Sequence, residues 1–250
     1  MECPKASIFD LDETLAVSFQ APKPAILERL VALQQKMPVA IMSGAGFERI
    51  ERDVIAHMSD VSSNMMLFPN STSQCFSYDN GEWKSVYNHL MNDEERTKIK
   101  AVLNAALEEF DSLKSAPVYG PRIIDRESQI AFTAVGQEAP ADVKAAWDPT
   151  AEKRLEVARV LRDRLPEFDI LIGGASTIDF TRKDTNKSYG VRWYADFLKI
   201  TPQEMLYVGD ALYPGGNDEV VIATGVQTRS VASPAETETV IDEILASCQV

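Results

Sequence analysis

The sequence predicts an α/β core with a parallel sheet, interrupted by an inserted α+β domain with an antiparallel sheet. Strand and helix signals alternate over residues 6–68 and again after Lys187, the order typical of parallel strands joined by right-handed crossovers. Between these segments, hairpin signals and helices replace the alternation. We therefore expect a discontinuous core of residues 1–87 and 184–250 and an inserted domain of residues 88–183.

The first part of the core alternates between strands and helices. Short apolar runs predict buried strands, and Pro24 suits the first turn of a helix. Phe47, Ile50 and Val54 recur at helical spacing, which predicts a second helix. The predicted elements are strands at 6–10, 38–43 and 65–68 and helices at 24–36 and 46–58.

The middle of the chain carries antiparallel signals. The tripeptide Asp79-Asn80-Gly81 is a hairpin turn signal between two alternating runs. Asn92 and Glu95 have the spacing of a capping pair, which predicts the start of a helix. The predicted elements are strands at 74–78 and 82–87, a helix at 92–113, strands at 122–125 and 129–135, a helix at 148–165, and strands at 168–172 and 176–181.

The alternation of the core resumes after Lys187. Apolar runs and helical spacing again follow one another without a long linker, so this segment should complete the parallel sheet. The predicted elements are helices at 188–198, 218–224 and 234–246 and strands at 205–209 and 228–231.

Charge and composition exclude several classes of function. Of 250 residues, 45% are hydrophobic and 25% are charged, and the net charge is -13. Nucleic acids and anionic membranes attract positive surfaces, so we expect neither as a partner. No apolar run reaches the roughly 20 residues that a membrane span needs. Cys3, Cys75 and Cys248 are scattered, so we expect reduced thiols in a cytoplasmic protein.

Two strands that end in acidic residues carry the predicted chemistry. Asp10 and Asp12 follow the first strand two residues apart, so both side chains leave it on the same side. Thr14, two residues after Asp12, adds a hydroxyl. A later strand ends at Asp210, before a glycine-rich loop that reaches Asp218. The carboxyl ends of parallel strands bind ligands, and these oxygens suit a hard cation and a phosphate. A helix cap is the alternative for Asp-x-Asp alone, and the second acidic strand end disfavours it.

These motifs resemble those of the haloacid dehalogenase (HAD) superfamily of phosphoryl-transfer enzymes. They are Asp10-Leu11-Asp12-Glu13-Thr14, Gly209-Asp210 and Asn217-Asp218. The chain is similar to the eukaryotic-type phosphomannomutases along nearly its whole length. The resemblance implies a Rossmann-like HAD core, an α+β cap domain, and a small phosphorylated substrate such as a sugar phosphate. The resemblance leaves the oligomeric state open and allows a homodimer through the cap. The supporting stretches are residues 46–50, 126–135, 173–187, 209–218 and 230–234.

The resemblance implies a role for each acidic residue. Asp10, at a solvent-facing strand end, would be the nucleophile, and Asp12 would be the general acid and base. Mg²⁺ would be the cofactor, held by Asp10, the Asp12 carbonyl and Asp210. Asn217 and Asp218 would orient the groups that hold the metal.

The phosphate group is expected to meet two further parts of the core. Ser43 and Gly44 follow the second strand, where the family places a phosphate-binding hydroxyl and amide. A helix N-cap is the alternative there, and the hydroxyl position stays open between Ser43 and Ala45. Lys187 would balance the charge of the nucleophile and the phosphate, with Lys183 as the competing candidate.

The resemblance assigns substrate contacts to the cap. Arg126 matches an arginine that mutases use on the sugar phosphate. Thr177 and Asp179 match residues that contact sugar hydroxyls in that family. A surface salt bridge is the alternative for Arg126, and ordinary polarity of an edge strand is the alternative for the other two residues.

Three departures from the mutase pattern decide the expected function. Gln137 stands where a second cap arginine is expected, Trp147-Asp148 stands where a Glu-Arg pair is expected, and Glu13 replaces a glycine. A mutase must clamp a second phosphate, and these losses remove charge-assisted bonds from that clamp. We therefore expect a Mg²⁺-dependent phosphatase that acts on a sugar phosphate or similar small phosphomonoester through an aspartyl phosphate. A phosphomannomutase of the GDP-mannose pathway and a non-catalytic binding protein on the same scaffold are the alternatives.

Overall fold

The structure consists of two compact units with separate hydrophobic cores. It is a computed structural model that describes residues 2–18 and 20–248. One unit comprises Met1–Asn88 and Asn186–Val250, and the other comprises His89–Thr185. The strands are β1 (Ala6–Phe9), β2 (Val39–Met42), β3 (Met65–Phe68), β4 (Gln74–Asp79), β5 (Glu82–Asn88), β6 (Ile123–Asp125), β7 (Ile130–Thr133), β8 (Phe168–Gly173), β9 (Thr177–Arg182), β10 (Met205–Gly209) and β11 (Gln227–Ser230).

The helices vary from one turn to five. None of those within the described residues combines the length and the apolarity that crossing a membrane would require. Short 3₁₀ helices lie at Ile55–His57, Pro202–Glu204 and Glu219–Thr224. The α-helices are α1 (Pro24–Gln34), α2 (Phe47–Asp53), α3 (Asp93–Glu109), α4 (Asp111–Lys114), α5 (Ala141–Trp147), α6 (Glu152–Arg164), α7 (Lys187–Leu198) and α8 (Pro234–Ser247).

The first unit is a mixed sheet with helices on both faces. Its strand order is β11-β10-β1-β2-β3-β4-β5, and the first five strands in that order run parallel. Phe9 of β1 packs in one buried cluster with Leu30 of α1 and Ile241 of α8. Its neighbour Ile8 packs on the opposite face with Tyr194 of α7. Burial on both faces explains the continuous apolar runs of these strands, and the predicted Rossmann-like core is confirmed.

The second unit is an antiparallel sheet with helices on one face. Its strand order is β6-β7-β9-β8. Phe132 and Phe180 pack in the same buried cluster as Leu103 of α3 and Leu161 of α6. Residues that alternate with the cluster residues along the strands lie on the opposite face of the sheet, and Asp179, between Ile178 and Phe180 of β9, is one of them. This is the predicted α+β layer, and its first helix begins with the predicted capping pair of Asn92 and Glu95.

Several helix boundaries differ from the sequence prediction. The expected helix over 92–113 ends at Glu109 and is followed by the separate turn α4. The helix α5 was not predicted, because its seven residues lie among proline and glycine signals. The helix expected over 148–165 begins at Glu152, with Ala151 as its N-cap residue. The Asp148 carboxylate accepts hydrogen bonds from the amides of Lys153 and Arg154, so it supports the first turn of α6 from outside the helix.

The expectation of three reduced thiols was wrong. Cys3, before β1, and Cys248, after α8, form a disulfide across a sequence separation of 245 residues. Cys75 alone is free and lies buried in β4. The spacing of the cysteines could not predict the pair, because the two chain ends meet only through the folded sheet and helix. Cysteine usage therefore no longer supports a reducing compartment.

Breaking this disulfide should lower the free energy of unfolding by about 2–4 kcal/mol, because the bond removes conformational freedom from a very long loop in the unfolded chain. The measurement is urea unfolding, followed by tryptophan fluorescence, with and without dithiothreitol. The Cys3→Ser/Cys248→Ser double variant is the control, and dithiothreitol should not shift its midpoint. An unchanged midpoint for the reduced native chain would contradict the expectation.

Candidate active site

The two acidic strand ends lie side by side. β1 and β10 are parallel neighbours with Phe9 opposite Val208, and the Asp10 amide donates to the Val208 carbonyl at 3.0 Å. Asp10 and Asp210 therefore follow their strands at the same edge of the sheet. Asp10 is only 4% exposed. It is thus buried, in contrast to the solvent-facing position expected from the sequence.

A buried ammonium group bridges two of the acids. Lys187 is the first residue of α7, and its Nζ lies 2.5 Å from Asp10 Oδ1 and 2.5 Å from Asp218 Oδ1. Burial acts to lower the pKa of Lys187, but the two carboxylates outweigh it and raise that pKa. The lysine is therefore charged at neutral pH. Lys183, the competing candidate, is exposed and lies 3.5 Å from Asp169.

The carboxylate of Asp218 is fixed by three donors. Its Oδ1 accepts from Lys187 Nζ and from Tyr207 Oη, each at 2.5 Å, and its Oδ2 accepts from the Ala211 amide at 3.2 Å. A Cβ at Gly209 would lie 2.4 Å from Oδ2, so this position needs glycine. We propose that Asp218 orients Lys187. Tyr207 was missed from the sequence, because a tyrosine inside an apolar strand predicts only core packing.

The acidic cluster fits a hard cation. Carboxylate oxygens of Asp10, Asp210 and Asp218 lie within 4.8 Å of one another. Burial raises the pKa of Asp10 well above its ordinary value, and burial together with the charge of Asp218 raises that of Asp210 to about 6. One lysine does not neutralise three carboxylates. Oxygen ligands with excess negative charge suit Mg²⁺, and we propose that Asp10, Asp210 and the Asp12 carbonyl would hold it.

Mg²⁺ should stabilise the fold more at about pH 7.5 than at about pH 5. The folded-state pKa of Asp210, about 6, lies above the ordinary 3.8, so the folded protein binds this proton more tightly than the unfolded chain does. Without metal, this contribution to stability is present below about pH 4 and is lost as the pH rises through about 6. Mg²⁺ binds the deprotonated carboxylates and should offset that loss.

The measurement is the melting temperature at both pH values, with MgCl₂ or with NaCl of equal ionic strength. A rise with MgCl₂ that is equal at both pH values, or no rise, would count against the cation site.

The Ser43-Gly44 loop lies at the same edge of the sheet, after β2. Ser43 is 1% exposed, and its Oγ accepts a hydrogen bond from the Ala45 amide at 3.0 Å. Ala45 has no hydroxyl, so the hydroxyl of this loop comes from Ser43. Its binding of phosphate stays a proposal.

A strained turn braces this loop and was not predicted. Asn70, Ser71 and Thr72 have φ values of 51°, 56° and 69°. Left-handed backbone costs about 1–2 kcal/mol per residue other than glycine. The Ser71 amide donates to the Ser43 carbonyl at 2.8 Å, and Thr72 Oγ1 donates to the Asn186 carbonyl at 2.7 Å. The turn therefore ties the Ser43-Gly44 loop to the residue before Lys187, as strained segments at functional sites often do.

Asp12 is held by a side chain that the sequence did not point to. Arg49 Nη1 donates to Asp12 Oδ2 at 3.0 Å, and Nη2 donates to Oδ1 at 2.5 Å. The next residue, Glu13, has a φ of 60°, which explains a glycine preference there. Its Oε1 accepts from the Ser18 amide at 2.9 Å, which helps to hold the strained turn.

Other groups complete the core site. Thr14 Oγ1 donates to Asp210 Oδ1 at 3.3 Å, so the hydroxyl in the first motif contacts the second acidic strand end. Asn217 is half-buried in the loop before Asp218. Its predicted orienting role stays a proposal.

The predicted substrate residues of the second unit lie in or next to strands of its sheet. Thr177 and Asp179 alternate along β9 with residues of the buried cluster, so they lie on the sheet face away from α3 and α6. A Cβ at Gly173 would lie 2.6 Å from Asp179 Oδ2, so glycine makes room for this carboxylate. Arg126 follows β6, and its Nη1 donates to Gln129 Oε1 at 2.8 Å.

At the positions where mutases have these arginines, the residues of this chain take part in hydrogen bonds within the second unit. The Gln137 carbonyl accepts from Lys144 Nζ at 2.8 Å. Asp148 Oδ2 accepts from Arg154 Nε at 2.9 Å, and Arg154 Nη1 donates to the Gly173 carbonyl at 3.0 Å. Arg154 is 5% exposed. The guanidinium beside Asp148 therefore serves the fold of this unit.

Comparison with known proteins places the chain in one family. The family profile of eukaryotic phosphomannomutases matches residues 26–247. A probable phosphomannomutase of Caenorhabditis elegans is 21% identical over 245 residues, covering 95% of this chain and 94% of the relative. The phosphomannomutase of Dendrobium officinale is 24% identical over 238 residues, covering 92% and 90%.

Solved structures show the same fold. The N-terminally truncated, IMP-bound IMP-nucleotidase of Plasmodium falciparum has a TM-score of 0.72 at 16% identity and covers 97% of this chain and 68% of its own. The C-terminal domain of C. albicans trehalose-6-phosphate phosphatase has a TM-score of 0.66 at 16% identity, with coverage of 98% and 93%. The chain belongs to the eukaryotic phosphomannomutase family and is a phosphoryl-transfer enzyme of the HAD superfamily.

Proposed function

We propose that this member of the family is a Mg²⁺-dependent phosphatase acting on a sugar phosphate or similar small phosphomonoester. The observation that carries the proposal is the lack of available positive side chains at the positions where a mutase would bind the second phosphate. Gln137 has no charge to offer, and the guanidinium of Arg154 is buried against Asp148 and the Gly173 carbonyl. Hydrolysis needs one phosphate site and water, whereas isomerisation through a bisphosphate needs two strong sites.

The first half of the reaction forms an aspartyl phosphate. An oxygen of Asp10 attacks phosphorus, the bond to the leaving oxygen breaks, and Asp12 gives that oxygen its proton. Lys187 Nζ, 2.5 Å from Asp10 Oδ1, holds the nucleophile in place and offsets its charge. Mg²⁺, which Asp10, Asp210 and the Asp12 carbonyl would hold, would supply further positive charge to offset the negative charge of the nucleophile and the phosphate.

The second half releases phosphate. Asp12, now a carboxylate, takes a proton from water as the water oxygen attacks phosphorus, and the bond from phosphorus to Asp10 breaks. Asp10 returns as a carboxylate and Asp12 returns protonated, so the cycle closes. Ser43 and Gly44 are proposed to hold the phosphate oxygens throughout.

A phosphomannomutase is the second candidate. The family profile and the names of the relatives favour it. It would have to hold the distal phosphate with Arg126 and without a guanidinium at Gln137 or Asp148. A non-catalytic binding protein is disfavoured, because Asp10, Lys187 and Asp218 form a tight buried network that binding alone would not need.

A phosphate-release assay tests the proposal. The panel contains mannose 1-phosphate, mannose 6-phosphate, trehalose 6-phosphate and IMP, each with Mg²⁺ and with or without a hexose 1,6-bisphosphate. We expect steady release of phosphate from at least one sugar phosphate, independent of the bisphosphate. Isomerisation that depends on the bisphosphate, without net release, would establish the mutase instead.

Arg126→Ala should raise KM for a sugar phosphate about tenfold to a hundredfold, because it removes a charged hydrogen bond worth about 1.5–3 kcal/mol. The KM for p-nitrophenyl phosphate should change little, since the nitrophenyl group offers no hydroxyl to a guanidinium. Steady-state kinetics on both substrates make the measurement. Equal losses on the two substrates would show that Arg126 does not set specificity.

A further inference from the structure

We propose that Arg49 is a positioning residue, which fixes the carboxylate of Asp12 in the orientation needed for proton transfer. The inference rests on the proposed function, in which Asp12 is the general acid and base. It adds a residue of α2 to the machinery, and it explains why a charged side chain that is not expected to touch phosphate lies in the site.

The contact is a bidentate fork. Nη1 and Nη2 of Arg49 meet Oδ2 and Oδ1 of Asp12 at 3.0 and 2.5 Å. The side chains are 19% and 24% exposed, so the pair is shielded from much of the screening that weakens surface ion pairs. Two parallel bonds from a planar guanidinium define the plane of the carboxylate as well as its position.

The fork matters because backbone hydrogen bonds alone do not set the orientation of this carboxylate. Asp12 lies beyond the end of β1, in a turn fixed by hydrogen bonds from the amides of Leu15 and Ala16 to the Leu11 carbonyl. Those bonds fix the Asp12 backbone but not its side-chain rotamer. Proton transfer requires the acid within hydrogen-bond reach of the leaving oxygen, and small misplacements are costly.

A purely structural role for Arg49 makes a different prediction. Its Nε also lies 3.5 Å from Asp53 Oδ2, one turn along α2, and such a pair alone would only support the helix. Loss of a helix support changes stability and lowers all turnover alike. Loss of an oriented acid slows the formation of the aspartyl phosphate only for substrates whose leaving group needs a proton.

The experiment compares phenyl phosphate with 2,4-dinitrophenyl phosphate, which share one recognition chemistry and differ in leaving-group basicity. Dinitrophenolate leaves without a proton, and phenolate needs one. We expect Arg49→Met to lower the single-turnover rate of phenol release from phenyl phosphate about tenfold to a hundredfold, part of the full value of an acid catalyst. Its single-turnover rate of dinitrophenol release should fall less than about threefold, because this step precedes the phosphate release in which Asp12 acts as the base for both substrates.

Two further variants are needed, a matched control and a conservative substitution of Arg49. Arg52→Met is the matched control, because Arg52 lies on the same helix and its side chain is 72% exposed. Both single-turnover release rates should stay at the wild-type level. Arg49→Lys keeps the charge but cannot form the fork, so it should show the same discrimination to a smaller extent. If Arg49→Met does not fold, Arg49→Lys carries the test, and wild-type rates in it on both substrates would overturn the inference.

Asp12→Asn separates this inference from the proposed function. If Asp12→Asn slows the single-turnover release of both leaving groups equally, Asp12 is not the acid and the proposed mechanism fails. If Asp12→Asn discriminates but Arg49→Met lowers both rates equally, or only raises KM, the positioning role is overturned and the mechanism stands. The inference also requires that the Asp12→Asn/Arg49→Met double variant be no slower than Asp12→Asn alone.

Discussion

Asp10→Asn should abolish turnover, by a factor of about 10⁴ or more, while the protein stays folded. The amide has the shape of the carboxylate but is not a nucleophile towards phosphorus. Asp10 is buried, and burial raises its pKa, so the folded state tolerates a neutral side chain at this position. Lys187 keeps Asp218 as its partner in the variant.

Two measurements check this expectation together. The first is phosphate release under single-turnover conditions, and the second is the melting temperature, which should change by less than about 4 °C, equivalent to about 1 kcal/mol for a chain of this size. Turnover in Asp10→Asn within tenfold of wild type would remove Asp10 from the nucleophile role. Unfolding would instead make the loss of activity uninformative, and circular dichroism would reveal it.

Lys187→Met should damage both stability and activity. Nζ lies 2.5 Å from both Asp10 and Asp218, and all three side chains are buried. Removing the cation leaves two buried carboxylates without their partner, which costs about 3–5 kcal/mol. The loss of positive charge next to the nucleophile should also lower kcat about a hundredfold to a thousandfold.

Lys183→Met is the matched control for this substitution, because it removes an exposed lysine that contacts Asp169. Urea unfolding should show a large loss for Lys187→Met and less than about 1 kcal/mol for Lys183→Met. Equal losses of unfolding free energy in the two variants would contradict a stabilising role for the contacts of Lys187 with Asp10 and Asp218. Added Mg²⁺ should recover part of the lost stability in Lys187→Met, since the cation would then face more uncompensated charge.

The sequence predicted the sheet of the core well, for a physical reason. Buried parallel strands such as β1 and β10 are short apolar runs that end in polar residues, and both features are local. The approach of Asp10 to Asp210 followed from those strand ends, because parallel neighbours end at one edge. The capping pair of Asn92 and Glu95 was predicted for the same reason, since the whole motif lies within four residues.

What the sequence did not predict depends on distant parts of the chain. The disulfide joins residues 245 positions apart, and the fork joins Arg49 of α2 to Asp12 in the turn after β1. Tyr207 has the pattern of a core residue, and only the packed structure brings its hydroxyl to Asp218. The left-handed turn at residues 70–72 was also missed, because its sequence lacks glycine.

The most direct test of the proposed phosphatase is ³¹P nuclear magnetic resonance of one reaction over time. Mannose 1-phosphate is incubated with the protein and Mg²⁺, with and without a catalytic amount of the 1,6-bisphosphate, and every phosphorus species is observed in the same spectrum. We expect inorganic phosphate to grow at the expense of the ester at the same rate in both samples. Growth of mannose 6-phosphate that requires the bisphosphate, with no inorganic phosphate beyond the uncatalysed level, would contradict it.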